Sequence, residues 1–175
     1  MNTEERSALV NEFRASGQSF LAGTSGLTDA QGKFKPAPDR WSIEECVEHL
    51  AVVEKWILYR ISEDYTPSDR VERPDRQAEL RQFGASRASK RQAPERVRPT
   101  GQFGSLAKAL DQFAASREQT IAYLSACQND LNAGTVVHPT LGPMTCHEYV
   151  IFMTGHTLRH LDQIREIQAS PGFPA

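Results

Sequence analysis

Apolar residues recur every three or four positions in four stretches of the chain, the spacing of one buried face on an α-helix. Residues 3–22 place Leu9, Phe13, Phe20 and Leu21 in this way without a proline, and Gly23 and Gly26 mark the end of the segment. Pro36 and Pro38 keep the next stretch extended, after which Ser42 and Glu45 form a capping box for a second helix reaching about Glu63, ahead of Pro67. Residues 104–127 carry Leu106, Leu110, Phe113, Ile121 and Leu124 for a third helix. Thr145 and Glu148 repeat the capping box for a fourth, which ends near Gln168 before Pro171 and Gly172. Strand-like alternation is confined to residues 135–137. The pattern predicts an all-α four-helix bundle forming one domain over residues 1–175.

Residues 64–103 separate the second and third helices and are too many for a plain loop. A long crossover explains them: if those two helices run parallel, the chain must return the bundle length of ~30 Å between them. Residues 75–91 could hold a short helix of their own. The connection contains eight arginines, one lysine and four prolines, and its six acidic residues are interleaved with the basic ones. A solvated, salt-bridged surface is therefore the expectation, ahead of an anion-binding patch.

Composition narrows the function more than the fold. Of the 175 residues, 39% are hydrophobic and 24% charged, enough to bury a core, and the formal net charge is −2. A dedicated nucleic-acid binder needs a basic domain, so no such partner is expected. The opening MNTEERSALV leads into no long apolar run, which predicts neither a membrane span nor a secretory signal and implies a cytoplasmic protein. Cys46, Cys127 and Cys146 are odd in number and lack CxxC spacing, so neither a disulfide framework nor a thiolate zinc site is expected. Cys46, inward-facing one turn before His49, reads as a buried small hydrophobe ahead of a soft metal ligand, and Cys146 as a structural residue.

The histidines carry the chemistry. His156 and His160 lie four apart on the last helix, stacked on one face with rings able to converge. At about 100° per residue, Tyr149, Met153, Ile164 and Ile167 share that face, so both imidazoles point toward the core. Imidazole nitrogens buried in an apolar stripe need partners, and one shared metal ion would satisfy both. His49 lies at the inward edge of the second helix, flanked by Val53 and Trp56; alone, it reads more readily as a hydrogen-bonded core histidine than as a ligand. Together the three would make a site with an open position for water or substrate, and imidazole suits Zn, Ni, Fe or Cu. Thr157 follows His156 where the HExxH motif has its glutamate base, so this is no zincin. His138 and His147 read as solvent or rim residues.

The stretch Arg40, Trp41, Ser42, Ile43 through Glu48, His49, Leu50, with GHTLRHLDQI at 155–164 far downstream, resembles the DinB-like superfamily of small metal-binding helical proteins. Nearly the whole chain takes part, including the long connection and the turn HPTLGPMTCHEYV before the last helix. The resemblance implies a bundle with an up-down-down-up course and a divalent metal, Zn or Ni in character, with His49, His156 and His160 at the ligand positions. Its relatives include bacillithiol S-transferases, mycothiol-dependent maleylpyruvate isomerases and proteins designated metal-dependent hydrolases. A low-molecular-weight thiol at the metal would become a thiolate nucleophile, which accounts for the missing base. The expected function is therefore metal-dependent thiol S-transfer or hydrolysis of a small electrophilic substrate. The alternative is a non-catalytic bundle with a structural metal or a ligand-binding cavity. A homodimer is also implied, with Trp56, Tyr59 and Phe152 as candidate contacts.

Overall fold

A computed structural model describes residues 1–88 and 92–175. Helices α1 (Thr3–Thr24), α2 (Asp29–Lys33), α3 (Ile43–Ser62), α4 (Pro74–Ala85), α5 (Leu106–Ala126) and α6 (Cys146–Gln168) are joined by a small sheet of β1 (Thr66–Pro67), β2 (Gly134–His138) and β3 (Gly142–Thr145). Both predicted capping boxes form. Ser42 accepts from the Glu45 amide while Glu45 accepts from the Ser42 amide, and Thr145 and Glu148 exchange the same pair. These caps satisfy amides that would otherwise be orphaned at the starts of the two site-bearing helices.

The four long helices α1, α3, α5 and α6 form the body. α1 packs on α5 and α6, and α3 packs on the same two. One apolar cluster gathers Phe13, Ile57, Ile61, Leu124 and Ile151; a second gathers Phe20, Val47, Leu50, Phe113 and Ile164. Between them lies a buried ion pair. Arg117 donates to both carboxylate oxygens of Glu54 at 2.9 and 2.5 Å, to the Thr157 hydroxyl at 2.8 Å, and to the Phe13 carbonyl and Ser16 hydroxyl at 2.6 and 2.8 Å. All four long helices contribute to this network, and its guanidinium sits 3.9 Å from the Phe13 ring centre. Burying two charges is tolerable here because every guanidinium nitrogen has a partner.

The sheet was only partly legible in the sequence. β2, where residues 135–137 alternate, pairs antiparallel with β3 to form a hairpin, and β1 adds to its other edge. β1 and β3 are too short to show alternation, and Gly142 turns the hairpin at a φ of 70° that favours glycine. α2 is likewise a single capped turn without helical periodicity.

The connection after α3 is built rather than loose. Its helix α4 starts at Pro74, suited to a first helical position, and lies directly on α6. The approach is set by two glycines: a Cβ on Gly84 would stand 2.6 Å from the Phe152 carbonyl oxygen, and one on Gly155 would stand 2.7 Å from the Arg81 carbonyl oxygen. The chain then makes a 3-10 turn over Glu95–Val97 against α3. Among the described residues, no helix is long and apolar enough to cross a membrane.

Candidate metal centre

His49 projects from α3, and His156 and His160 from successive turns of α6, and one nitrogen from each ring lies within 4.8 Å of the others. The three rings that the sequence singled out are thus brought together across about a hundred residues of chain. His49 and His160 are buried and His156 is half-buried, so the cluster opens to solvent on the His156 side.

The hydrogen bonds assign nitrogens to roles. Nδ1 of His49 lies 2.7 Å from the Val97 carbonyl oxygen, which can only accept, so Nδ1 carries the proton. Its Nε2 is then left with a lone pair, and it faces Nε2 of His156 at 3.2 Å. Two imidazole nitrogens this close require a proton or a cation between them. Nδ1 of His160 is buried with no hydrogen-bond partner among the described residues, which leaves the cluster one favourable interaction short. Burial holds His49 down to about 4, with the bond to Val97 partly opposing it. His160 is held well below the ordinary histidine range, first by burial and then by the two neighbouring imidazoles. Neutral imidazoles are the ligand form.

The donor set fits a divalent ion. Two nitrogens that share an ion at about 2.1 Å stand roughly 3–4 Å apart; Nε2 of His49 and Nε2 of His156 already do, at 3.2 Å, and the third ring offers a nitrogen within 4.8 Å of both. The carbonyl of Val97 behind His49 is the outer partner that orients a ligating imidazole. Trp41 lines the cluster, with its ring centre 5.1 Å from that of His49 and stacked 6.2 Å from that of His160. The motif residue Trp41 therefore packs against two of the three rings.

Above the cluster lies a cleft of about 720 Å³, walled by α3, α6, the β2–β3 hairpin and the connection. Val53, Trp56, Phe152 and Met153 give it an apolar side. His138 lines its rim, as expected, whereas His147 does not: it is buried and bonded to Asn132, and the expectation of a solvent position fails because α6 packs that flank against the 131–132 turn. Phe152 is buried and Trp56 lines the cleft, which leaves Tyr59, 47% exposed, of the three aromatics considered as contacts for a second copy. The cysteines are all free; burial pushes the Cys46 thiol far up and the Cys146 thiol up to about 12, so both are inert, as expected.

Sequence reasoning missed the parts of the site that come from the connection. Glu48, 2% exposed on the helix turn beside His49, accepts from the Thr100, Gly101 and Gln102 amides at 2.6, 2.9 and 3.3 Å. That clamp holds the strand of chain whose Val97 carbonyl orients His49. A buried carboxylate beside a metal-ligating candidate was a possible signal, but nothing in the sequence linked it to residues fifty positions away.

A helical bundle with a three-histidine cluster at the base of a cleft and a folded connection over it defines a class of small helical proteins able to hold a metal. The chain belongs to the DinB superfamily, which matches residues 12–164. It is similar to the uncharacterized protein YuaE of Bacillus subtilis (strain 168), with 27% identity over 82% of this chain and 86% of that one. Among solved structures it is similar to YfiT from Bacillus subtilis, with a TM-score of 0.62 and 15% identity over 99% of this chain and 91% of that one. YfiT is described as a probable metal-dependent hydrolase with an unusual four-helix bundle topology.

Proposed function

We propose that the cleft is the active site of a metal-dependent enzyme in which His49, His156 and His160 hold one divalent ion, Zn or Ni in character. The convergence of three imidazole nitrogens within 4.8 Å at the base of an open cleft carries this reading. An ion held there would supply Lewis acidity, lowering the pKa of a thiol or water and polarising an electrophile, for S-transfer or hydrolysis of a small substrate. The chain's own residues do the rest. Val97 and Glu48 orient His49, Trp41 packs the histidine rings, and the Trp56, Phe152 and Met153 wall excludes water from the substrate's apolar part. Asp39 is the single carboxylate lining the cleft among the described residues, which favours a thiol, whose ionisation needs no strong protein base once its pKa falls. YfiT's description as a probable metal-dependent hydrolase supports the hydrolytic branch.

The same reading takes the bundle as up-down-down-up, with residues 64–103 as the crossover. Arg6 near the start of α1 bonds the Leu124 carbonyl near the end of α5, whereas Glu54 with Arg117 and Ile61 with Tyr123 pair α3 and α5 in the same order. Purified without chelators, the protein carries about one divalent ion per chain, and His160→Ala removes it. Metal content near zero in the unaltered protein would overturn the reading. An open coordination position is tested in cobalt-substituted protein, whose visible spectrum shifts on adding azide or a thiol.

A further inference from the structure

The eight arginines of the connection do not share one fate. Arg70, Arg73 and Arg81 pair with Asp130, Glu148 and Glu12, and Arg76 donates to the Pro143 carbonyl, as a salt-bridged surface would have it. Arg87, Arg96 and Arg98 instead line the cleft, where they meet Arg40 from the segment before α3, Arg60 of α3 and Arg159 of α6; Arg91 lies outside the described residues. Six guanidinium groups thus line one cleft in a chain whose net charge is −2. Acidic residues offset only part of this. Glu166 pairs with Arg87 at 2.6 Å and stands 3.9 Å from Arg40, Asp64 pairs with Arg60 at 2.7 Å, and Asp39 is the carboxylate on the wall itself.

Arg96 and Arg98 are the pair left over. Neither has a carboxylate within ion-pair distance among the described residues: Arg96 stacks its guanidinium 5.0 Å from the Trp56 ring centre, and Arg98 donates to the Ala93 carbonyl. Stacking on an aromatic face fixes the plane of a guanidinium while leaving its fork of N–H donors at the edge free to bind. These two arginines flank Val97, whose carbonyl holds His49 Nδ1 at 2.7 Å, and both line the same cleft as the three histidines. The wall around Trp56, Phe152 and Met153 is apolar.

We propose that the cleft selects a small organic oxyanion, a carboxylate or phosphate on an apolar body, and that Arg96 and Arg98 bind its anionic group beside the histidines. This deepens the catalytic reading above and rests on it only for the reaction, not for binding. The anionic end meets planar, preoriented donors, the apolar body covers the aromatic wall, and the surplus positive charge draws the ligand in.

Both tryptophans of the chain, Trp41 and Trp56, line the cleft, so intrinsic fluorescence reports its occupancy. The probes are 3-phenylpropionate, phenyl phosphate and the neutral 3-phenylpropanamide, titrated into chelator-treated and metal-loaded protein. Either anion is expected to bind at least about tenfold more tightly than the amide in both forms, and weaker at higher salt. Arg96→Gln with Arg98→Gln should erase that preference and leave amide binding unchanged, while Arg96→Lys restores part of it. Both side chains are exposed, so the variants are expected to fold. The better of the two anions identifies the headgroup. Equal binding of amide and anion in the chelator-treated protein, or an anion preference there that survives the double variant, would overturn the proposal. Anion selectivity in a protein that takes up no metal would sink the metal reading alone, and metal uptake without selectivity would sink this one alone.

Discussion

Removal of the Glu48 carboxylate tests whether the connection orients the proposed metal site or merely covers it. In Glu48→Ala the amides of Thr100, Gly101 and Gln102 lose a common acceptor that they reach at 2.6, 2.9 and 3.3 Å. A hydrogen bond to a charged group contributes about 1.5–3 kcal/mol when its loss leaves a buried group unpaired. Here Thr100, Gly101 and Gln102 are themselves exposed, so their amides regain water and the sum is strongly discounted. We expect a loss of about 2–4 kcal/mol, and about half that for Glu48→Gln, which keeps an oxygen acceptor without the charge. The larger consequence is positional. Val97 lies three residues before Thr100, and its carbonyl accepts from His49 Nδ1, so freeing residues 100–102 frees the acceptor that fixes the tautomer of His49.

Two measurements separate the effects. Urea unfolding of the metal-free protein reads the stability loss, and competition with a chromogenic chelator reads metal affinity, which should fall about 10–100-fold, as for other outer-shell partners of ligating histidines. In the metal-free protein the His49 Nδ1 proton, followed by NMR on ¹⁵N-histidine-labelled material, should exchange faster in the variant. A Glu48→Ala protein that is destabilised by the expected amount yet keeps its metal affinity within twofold would refute the positioning argument. One that loses neither would refute the clamp.

Acid should weaken the metal-free protein: His49 is held down to about 4 in the fold against 6.5 in the unfolded chain, so below pH 6.5 the unfolded state takes up a proton the native state refuses. At pH 5 that alone removes about 2 kcal/mol, burial of His147 and His160 acts in the same direction, and equal urea midpoints at pH 7.5 and 5 would contradict it. Gly155→Ala places its Cβ 2.7 Å from a backbone oxygen of α4 and should cost about 1–3 kcal/mol by lifting that helix, measured by thermal unfolding. Gly23→Ala, where the obstacle is the movable Leu161 side chain, should cost less, and the reverse order would contradict the close approach of α4 and α6.

What could be read in the sequence follows the range of the interactions. The four long helices announce themselves because capping boxes and apolar periodicity act within a few residues, and Ser42 with Glu45 and Thr145 with Glu148 form as read. His156 and His160 were legible for the same reason, since four residues place them on one face. His49 was legible as an inward-edge residue, and its joining the pair was conditional on the two helices being neighbours; in the fold its Nε2 stands 3.2 Å from that of His156. The roof was not legible. Glu48 meets residues 100–102, Val97 meets His49, and Arg96 covers Trp56 through contacts with no local pattern to betray them. His147 misled because its helical angle placed it away from the pair, and that flank turned out to face Asn132 instead of water.

The floor and roof of the site are fixed by different physics. The position of His49 against His156 depends on how α3 sits along α6, and apolar side chains alone tolerate sliding. The Glu54–Arg117 network does not. Glu54 lies five residues after His49, Thr157 follows His156, and Arg117 binds both while also holding the Phe13 carbonyl and Ser16 hydroxyl of α1. A slip of one helical turn, about 5.4 Å, would exceed the reach of these bonds of 2.5–2.9 Å and leave an unpaired charge in the interior. A buried ion pair adds little net stability over an apolar packing, so its effect here lies in register: it makes any alignment that separates the two imidazoles costly. The roof has no such lock. Beyond α4, residues 96–102 are held by one carboxylate, Glu48, gripping exposed backbone, and by Arg96 stacked on Trp56. Changes in the connection can therefore alter what the cleft admits while leaving the alignment of the histidine-bearing helices intact.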